Sequence, residues 1–190
     1  RLAYYVPGDF LHRGPYPGSF YAQRFPQGEP GISSVWQAGF TVDDRDFEPN
    51  PSRGYFFETS VRACHKDWGC HWQYAGFNSE LSNYFPLPTI EPSLGLVLAN
   101  RALVDVINGD VNTEEMSETG GTRDDAAFGG QWIGRGIRDR RFIGKVKLVD
   151  QIEARAHFFD VTLWGFKSAV GGAVFVIAAE DDRFIPRRIV

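Results

Sequence analysis

The sequence predicts an all-β protein, an antiparallel transmembrane β-barrel, and three observations carry that expectation. Polar and apolar residues alternate with period two over segments of about ten residues, the length that a tilted membrane-crossing strand requires. The connections alternate between short Pro-rich turns and long Gly-rich polar stretches, as on the two rims of an outer-membrane barrel. Glycine (21 residues) and aromatics (15%) are plentiful, yet no apolar run approaches the roughly 20 residues of a membrane helix. The longest, Ser168 to Ala179, stops well short. A mildly hydrophilic mean hydropathy excludes a helical membrane protein but not a barrel, whose alternating strands average out.

After a candidate opening strand at Arg1 to Val6 and a long polar stretch from Pro7 to Gly31, the alternation begins at Trp36 to Asp43. There Trp36, Ala38, Phe40 and Val42 face one way, and Gln37, Gly39, Thr41 and Asp43 the other. Glu48-Pro49-Asn50-Pro51-Ser52-Arg53-Gly54 reads as a short turn, because Asp side chains cap backbone amides, Pro fixes φ and Gly54 accepts a positive φ. In Tyr55 to Ala63, Phe57, Val61 and Ala63 oppose Glu58, Ser60 and Arg62. From Ala75 to Phe85, Phe77, Leu81 and Phe85 oppose Gly76, Asn78, Glu80 and Ser82. Pro86-Leu87-Pro88 is the next short turn. Leu96 to Val106 is apolar on nearly both faces, with Arg101 and Asp105 marking its polar side.

The long stretch Asn108 to Gly144 follows, with Glu114, Glu115, Glu118, Asp124 and Asp125 expected on a solvated surface. Lys145 to Phe159 is the clearest strand. Val146, Leu148, Ile152, Ala154, Ala156 and Phe158 share a face interrupted only by Asp150. Lys145, Lys147, Gln151, Glu153, Arg155 and His157 share the other, with Val149 the exception. Val170, Val174 and Val176 form a last apolar face after Trp164. The aromatics near strand ends, Trp36, Tyr55, Trp72, Tyr84, Phe85, Phe159 and Trp164, suit interfacial girdles; the core of a soluble β-sandwich is the competing use of the same residues.

The net charge of −4, with Lys and Arg dispersed, leaves no footprint for nucleic acid. Arg1 follows no signal peptide or initiating Met, so a processed protein or a piece of a larger one is expected. Cys64 and Cys70 bracket His65-Lys66-Asp67-Trp68-Gly69 at a hairpin end on the long-loop side. A disulfide there fits an oxidising compartment. Metal binding by Cys64, His65, Cys70 and His71, or a pair of free thiols, are the alternatives; strand neighbours point to opposite faces, which works against four ligands converging. Asp43, Asp44 and Asp46 read as turn caps before a cation site, and His157 beside Glu153 as polar wall before an acid–base pair. Nucleophile-elbow, zinc-protease and phosphate-loop motifs are absent, so no enzyme, cofactor or metal is expected.

Three segments together resemble the barrel of the BamA-like bacterial surface-antigen superfamily. Phe40 to Tyr55 resembles that family's descending strand, its D-x-R-D-N-P-x-x-P-x-x-G turn and the next rising strand, with Asp44, Arg45, Asp46, Pro51 and Gly54 on the motif. Gly134 to Gly144 resembles the region of the family's V-R-G-F/Y loop motif. Arg135-Gly136-Ile137 is the best match, Ile137 replacing the aromatic, and Arg138 is the competing arginine. Gln151 to Arg155 resembles an x-x-E-x-R strand. The resemblance implies a loop folded into the lumen, its arginine locked against Glu153, which alternation independently puts on the polar face. Ala173 to Ala179 resembles an F-x-D-x-G strand, but Ile177 stands at the aspartate.

The resemblance covers most of Trp36 to Phe184. It implies a barrel of about sixteen strands, of which this chain offers about seven; residues 1–190 are then one barrel region, incomplete by itself. It further implies insertion or translocation of polypeptides at the outer membrane of a Gram-negative-type cell or related organelle. The partners are outer-membrane lipids, client polypeptides and periplasmic or lipoprotein components. An anchor for an upstream enzymatic passenger such as a patatin-like lipase, a small structural or pore barrel, and a soluble all-β binding module are the competing expectations.

Overall fold

The computed structural model of the chain describes residues 2–5, 31–89, 94–121, 133, 135 and 143–183. Strands β1 (Leu2–Tyr5) and β2 (Gly31–Ser34) form a two-stranded antiparallel ribbon. The remaining strands form a six-stranded antiparallel meander in sequence order: β3 (Trp36–Asp43), β4 (Gly54–Cys64), β5 (Gln73–Leu87), β6 (Gly95–Asp110), β7 (Gly144–Leu163) and β8 (Phe166–Arg183). The all-β, antiparallel expectation is met. The sheet is open, with β3 and β8 at its edges. β1 pairs with β2, not with β8 as a small barrel closed between Arg1–Val6 and the last strand would require.

An antiparallel meander puts its connections alternately on two rims. Residues 44–53, residues 88–94 and the turn Trp164–Gly165 share the short rim. The 3-10 helix Lys66–Trp68 and the long 111–143 connection share the other, where β2 runs on into β3. Trp164 and Gly165 both have positive φ, 49° and 84°, the signature of a type I′ hairpin turn. A short helix, α1 (Thr113–Ser117), starts the long connection; Asn112 caps it, its side-chain oxygen accepting from Glu115 N at 3.0 Å.

Register decides which residues share a face. Phe56, Glu58, Ser60 and Arg62 of β4 lie level with Ser82, Glu80, Asn78 and Gly76 of β5. Those four lie level with Arg101, Leu103, Asp105 and Ile107 of β6, and Asp105 is level with Lys147 of β7. This charged and hydroxylated face is the buried one: Glu58, Ser60, Arg62, Asn78, Glu80, Ser82, Asp105 and Lys147 are all covered. The opposite face carries Phe40, Val61, Phe77, Leu81, Leu148, Ile152, Val174 and Val176, and it is exposed. In a half-solvated antiparallel sheet of a soluble protein the polarity runs the other way.

Two small apolar clusters complete the interior. Val35, Cys64, Cys70, Trp72, Tyr74, Ile107 and Val111 gather at the long-loop rim with Met116 against them. Leu103, Ile133 and Val149 gather mid-sheet with Ile177 packed on them.

Candidate functional site

The short-rim turn is built from its own side chains. Asp46 Oδ1 accepts from the amides of Phe47 (3.0 Å), Ser52 (2.9 Å) and Arg53 (3.3 Å), and its other oxygen accepts from the Ser52 hydroxyl. These bonds, the Ser52 hydroxyl first, hold the Asp46 carboxyl at about 2. Asp44 N donates to Tyr55 O at 2.9 Å, which closes the base of the turn. Gly54 sits at φ 97°, and a Cβ there would overlap the Asp44 carbonyl oxygen, so glycine is required twice over. Asp46 and Asp43, whose Oδ1 accepts from Arg45 N at 3.2 Å, cap the turn with their side chains, whereas Asp44 contributes its backbone amide.

Arg45 turns inward under the sheet. Its Nε and Nη2 donate to the two Asp43 oxygens at 2.8 and 2.6 Å, and its guanidinium lies 4.9 Å from the Phe56 ring centre. The fork-to-fork hydrogen bonds with Asp43 raise its pKa further above the ordinary arginine value. Pro51 is buried with it. Asn50 Oδ1 receives Arg155 Nη1 at 3.4 Å, so the turn touches β7 as well.

Next to the turn, Arg135 Nη1 stands 3.1 Å from Glu153 Oε2, and Arg155 Nε donates to Glu153 Oε1 at 3.0 Å. One carboxylate therefore serves two guanidiniums. Arg135 also lies 5.5 Å from the centre of the Phe175 ring, and Phe175 is level with Glu153 across β7 and β8. Arg45, Pro51, Tyr84, Arg135, Glu153, Arg155 and Ile177 line one cavity of about 160 Å³. The turn and the loop–strand pair, 80 and more residues apart in sequence, meet in that space. Gly136, Ile137 and Arg138 lie outside the described residues.

Ile177 has a use of its own. It is level with Gln151, one step along the face from Glu153, and packs on the cluster that includes the fully buried Ile133. Ile177 thus holds the chain at Ile133 through apolar contact. Ile133 and Arg135 reach the same wall by different chemistry, two residues apart.

A second polar centre lies toward the long-loop rim. Arg62 donates to both oxygens of Asp105, at 2.7 and 3.1 Å, and Lys147 Nζ donates to Asp105 Oδ2 at 2.8 Å. Asp105 is 0% and Lys147 1% exposed. The start of the long connection closes over them: Gly120 N donates to Asp105 Oδ1 at 2.9 Å, and Lys147 Nζ to Glu118 O at 2.7 Å. Gln37 Nε2 donates to Gly121 O at 3.0 Å. Gly120 lies so close to Arg62 that a Cβ would overlap its guanidinium. Farther along the face Arg101 Nη2 meets Glu80 Oε2 at 2.7 Å.

The expectation that this acidic stretch forms a solvated surface is corrected here. Glu115 is buried, with Thr113, Ser117 and Thr119 beside it, because the segment docks on the charged face of the sheet. Asp124 and Asp125 lie outside the described residues. Nothing in local patterning marks this docking; the signal is nonlocal, two adjacent glycines against the polar wall, Gly120 at Arg62 and Gly121 at Glu58.

Cys64 and Cys70 are bonded to each other, with Cα atoms 5.8 Å apart and both side chains buried. The bond closes the 3-10 hairpin, where His65 Nδ1 accepts from Asp67 N at 3.2 Å. Among the described residues no group of three or more His, Cys, Asp or Glu is placed to hold a metal ion. His157 Nε2 pairs with Asp160 Oδ1 at 2.9 Å, while Glu153 is taken by the two arginines, so the two do not form an acid–base pair. No helix among the described residues is long and apolar enough to cross a membrane, which says nothing of strands. No protein-family profile matches the chain, and no curated protein aligns with it significantly.

Proposed function

We propose that the chain forms part of the wall of an outer-membrane β-barrel of the BamA-like kind, which inserts or translocates polypeptides at that membrane. The observation that carries this is the reversed polarity of the sheet. Its covered face holds Glu58, Arg62, Glu80, Asp105 and Lys147, and its open face holds Phe40, Val61, Phe77, Leu81, Ile152 and Val176. Burying charge is costly unless it is paired, and Asp105 meets two cations. Exposing so broad an apolar face to water is unfavourable, whereas acyl chains make it favourable and a lumen accounts for the charges opposite.

In this reading the polar face lines the lumen, and the described parts of the long connection, residues 111–121 with Ile133 and Arg135, lie on it. Ile133 holds the loop at mid-sheet and Arg135 toward the short rim, and Asp105 with Lys147 holds its start. The capped turn keeps Arg45 and Pro51 against the lock. The barrel supplies a path through the membrane and needs no covalent chemistry or cofactor. Its partners are lipids of the outer membrane, client polypeptides and the periplasmic or lipoprotein components that deliver them. The turn, the loop arginine and Glu153 lining one cavity favour this over a plain pore.

Two measurements test it in sequence. The protein should stay in the membrane fraction under alkaline carbonate and migrate differently in detergent gels before and after boiling; a detergent-free soluble monomer defeats the membrane assignment. Vesicles containing it should then speed the folding of an unfolded client barrel. Equal rates with and without the protein defeat the insertase assignment and leave the wall intact.

A further inference from the structure

The β7–β8 hairpin outruns the rest of the sheet. The last pair between β6 and β7 is Gly95 with His157, yet β7 and β8 continue to pair with each other as far as Leu163 and Phe166. Residues 158–163 and 166–170 therefore extend roughly 20 Å past the wall at an ordinary strand rise. The pairing register shifts between His157 and Phe159, where β6 ends, and a bulge of this kind bends a strand.

Beyond the bend the hairpin is two-faced. Phe159 pairs with Val170 and Val161 with Ser168 on one side, which Phe166 continues along β8; Asp160 pairs with Ala169 and Thr162 with Lys167 on the other. Val170 has the same parity along β8 as Val174 and Val176, so the apolar side continues the open apolar face of the wall. At the tip Trp164 is 95% and Phe166 76% exposed. Trp164 is also the one non-glycine residue with positive φ among those described. A type I′ turn accepts Asn or Gly there without that strain, so a strained and fully exposed Trp points to a use for the ring.

We infer that this hairpin is an interfacial anchor, lying at the headgroup–acyl boundary of the leaflet on the short-rim side, with Trp164, Phe166 and Phe159 in the boundary. The inference rests on the proposed membrane wall and adds where the wall is fastened. A strip this long cannot continue straight within a hydrocarbon layer that strands of about 9–11 residues already cross, while β7 and β8 have 20 and 18. The bulge turns the strip into the boundary. Asp160, Thr162 and Lys167 then face water and headgroups. Trp prefers this layer, where the ring is half in hydrocarbon and the N–H half in water.

The test uses the whole protein in phosphatidylcholine–phosphatidylglycerol vesicles. The emission of Trp164 is obtained by subtracting the spectrum of the Trp164→Phe variant, and a wall reference by comparing Leu81→Trp with the parent. Lipids brominated near the headgroup should quench the Trp164 component at least twofold more than lipids brominated deep in the chain, and the Leu81→Trp component in the opposite order. Quenching of Trp164 by aqueous iodide alone, with Leu81→Trp still quenched by bromine, overturns the anchor and leaves the wall standing. Stronger quenching of Trp164 by deep bromine also overturns it. Absence of bromine quenching at Leu81→Trp removes the wall and the anchor together. Trp164→Asn, which suits the turn, should fold normally and abolish the shallow-quenched component.

Discussion

Arg135 places Nη1 3.1 Å from Glu153 Oε2, and the same carboxylate gives its other oxygen to Arg155 at 3.0 Å. Arg135→Glu faces Glu153 with a like charge and should release the chain at Arg135, seen as faster proteolysis between residues 122 and 142. Adding Glu153→Arg should restore part of the protection. Because Arg155 competes for Glu153, the coupling in a double-mutant cycle should be modest, about 1 kcal/mol. Unchanged protease sensitivity in Arg135→Ala removes Arg135 from the role of lock.

Ile133 offers a separate test of how the loop is held. It is buried against Leu103, Val149 and Ile177, and Ile133→Ala should cost about 2–4 kcal/mol of loop docking through the lost contact and the cavity left. The loop of Ile133→Ala should therefore be cut faster than that of Arg135→Ala. The reverse order means that charge, not apolar packing, dominates.

Asp46 carries a pH signature. Its folded-state carboxyl lies at about 2, below the ordinary aspartate value, so its contribution is fully present above the ordinary carboxylate range and is lost as pH falls from about 4 to about 2. Pepsin, active over that window, should begin to cut beside the exposed Phe47 only toward its lower end. Asp46→Asn should be cut at both ends. Parallel pH profiles for the two proteins mean that the charge on Asp46 does nothing for the turn.

The strands and their faces were legible because each residue's side is decided by counting in twos, and β7 shows this: Leu148 and Ile152 face out, Lys147 and Glu153 face in. The turn was legible because Asp46, Pro51 and Gly54 act within a few residues of one another. The docking of residues 112–121 was not. Glu115 reads as a surface acid until Arg62 and Tyr74, far away in sequence, are brought opposite it by strand pairing. Ile133 and Ile177 were equally mute: Ile133 is a lone isoleucine in a Gly-rich stretch, and Ile177 stands in a run apolar on both faces, so neither has a period to reveal its side. The overshoot of β7 and β8 depends on where β6 stops, which no single strand's pattern contains.

At Asp105 two cations and a loop amide meet one fully buried carboxylate. Removing the acid strands two charges, so Asp105→Asn should destabilise the folded protein by about 3–5 kcal/mol. Gly120→Ala leaves every charge in place but pushes its new methyl into Arg62. It should expose residues 112–121 to a Glu-specific protease while the sheet stays folded. If Gly120→Ala keeps that segment protected, the Asp105 centre serves the sheet alone and not the loop.

The Cys64–Cys70 bond closes a short loop, its partners six residues apart in sequence, so chain entropy alone limits its contribution to about 2 kcal/mol. Both sulfurs are buried against Trp72 and Tyr74, which adds a kinetic barrier: a reductant must wait for the hairpin to open. Dithiothreitol should therefore leave the native protein unlabelled by a maleimide and expose both thiols only in denaturant. Cys64→Ser with Cys70→Ser should lower the unfolding midpoint while keeping the β4–β5 register, because eleven paired positions from Gly54 to Cys64 fix that register without the bond. Rapid labelling of the native protein after mild reduction places the hairpin open in solution. In that case burial against Trp72 and Tyr74 does not protect the bond.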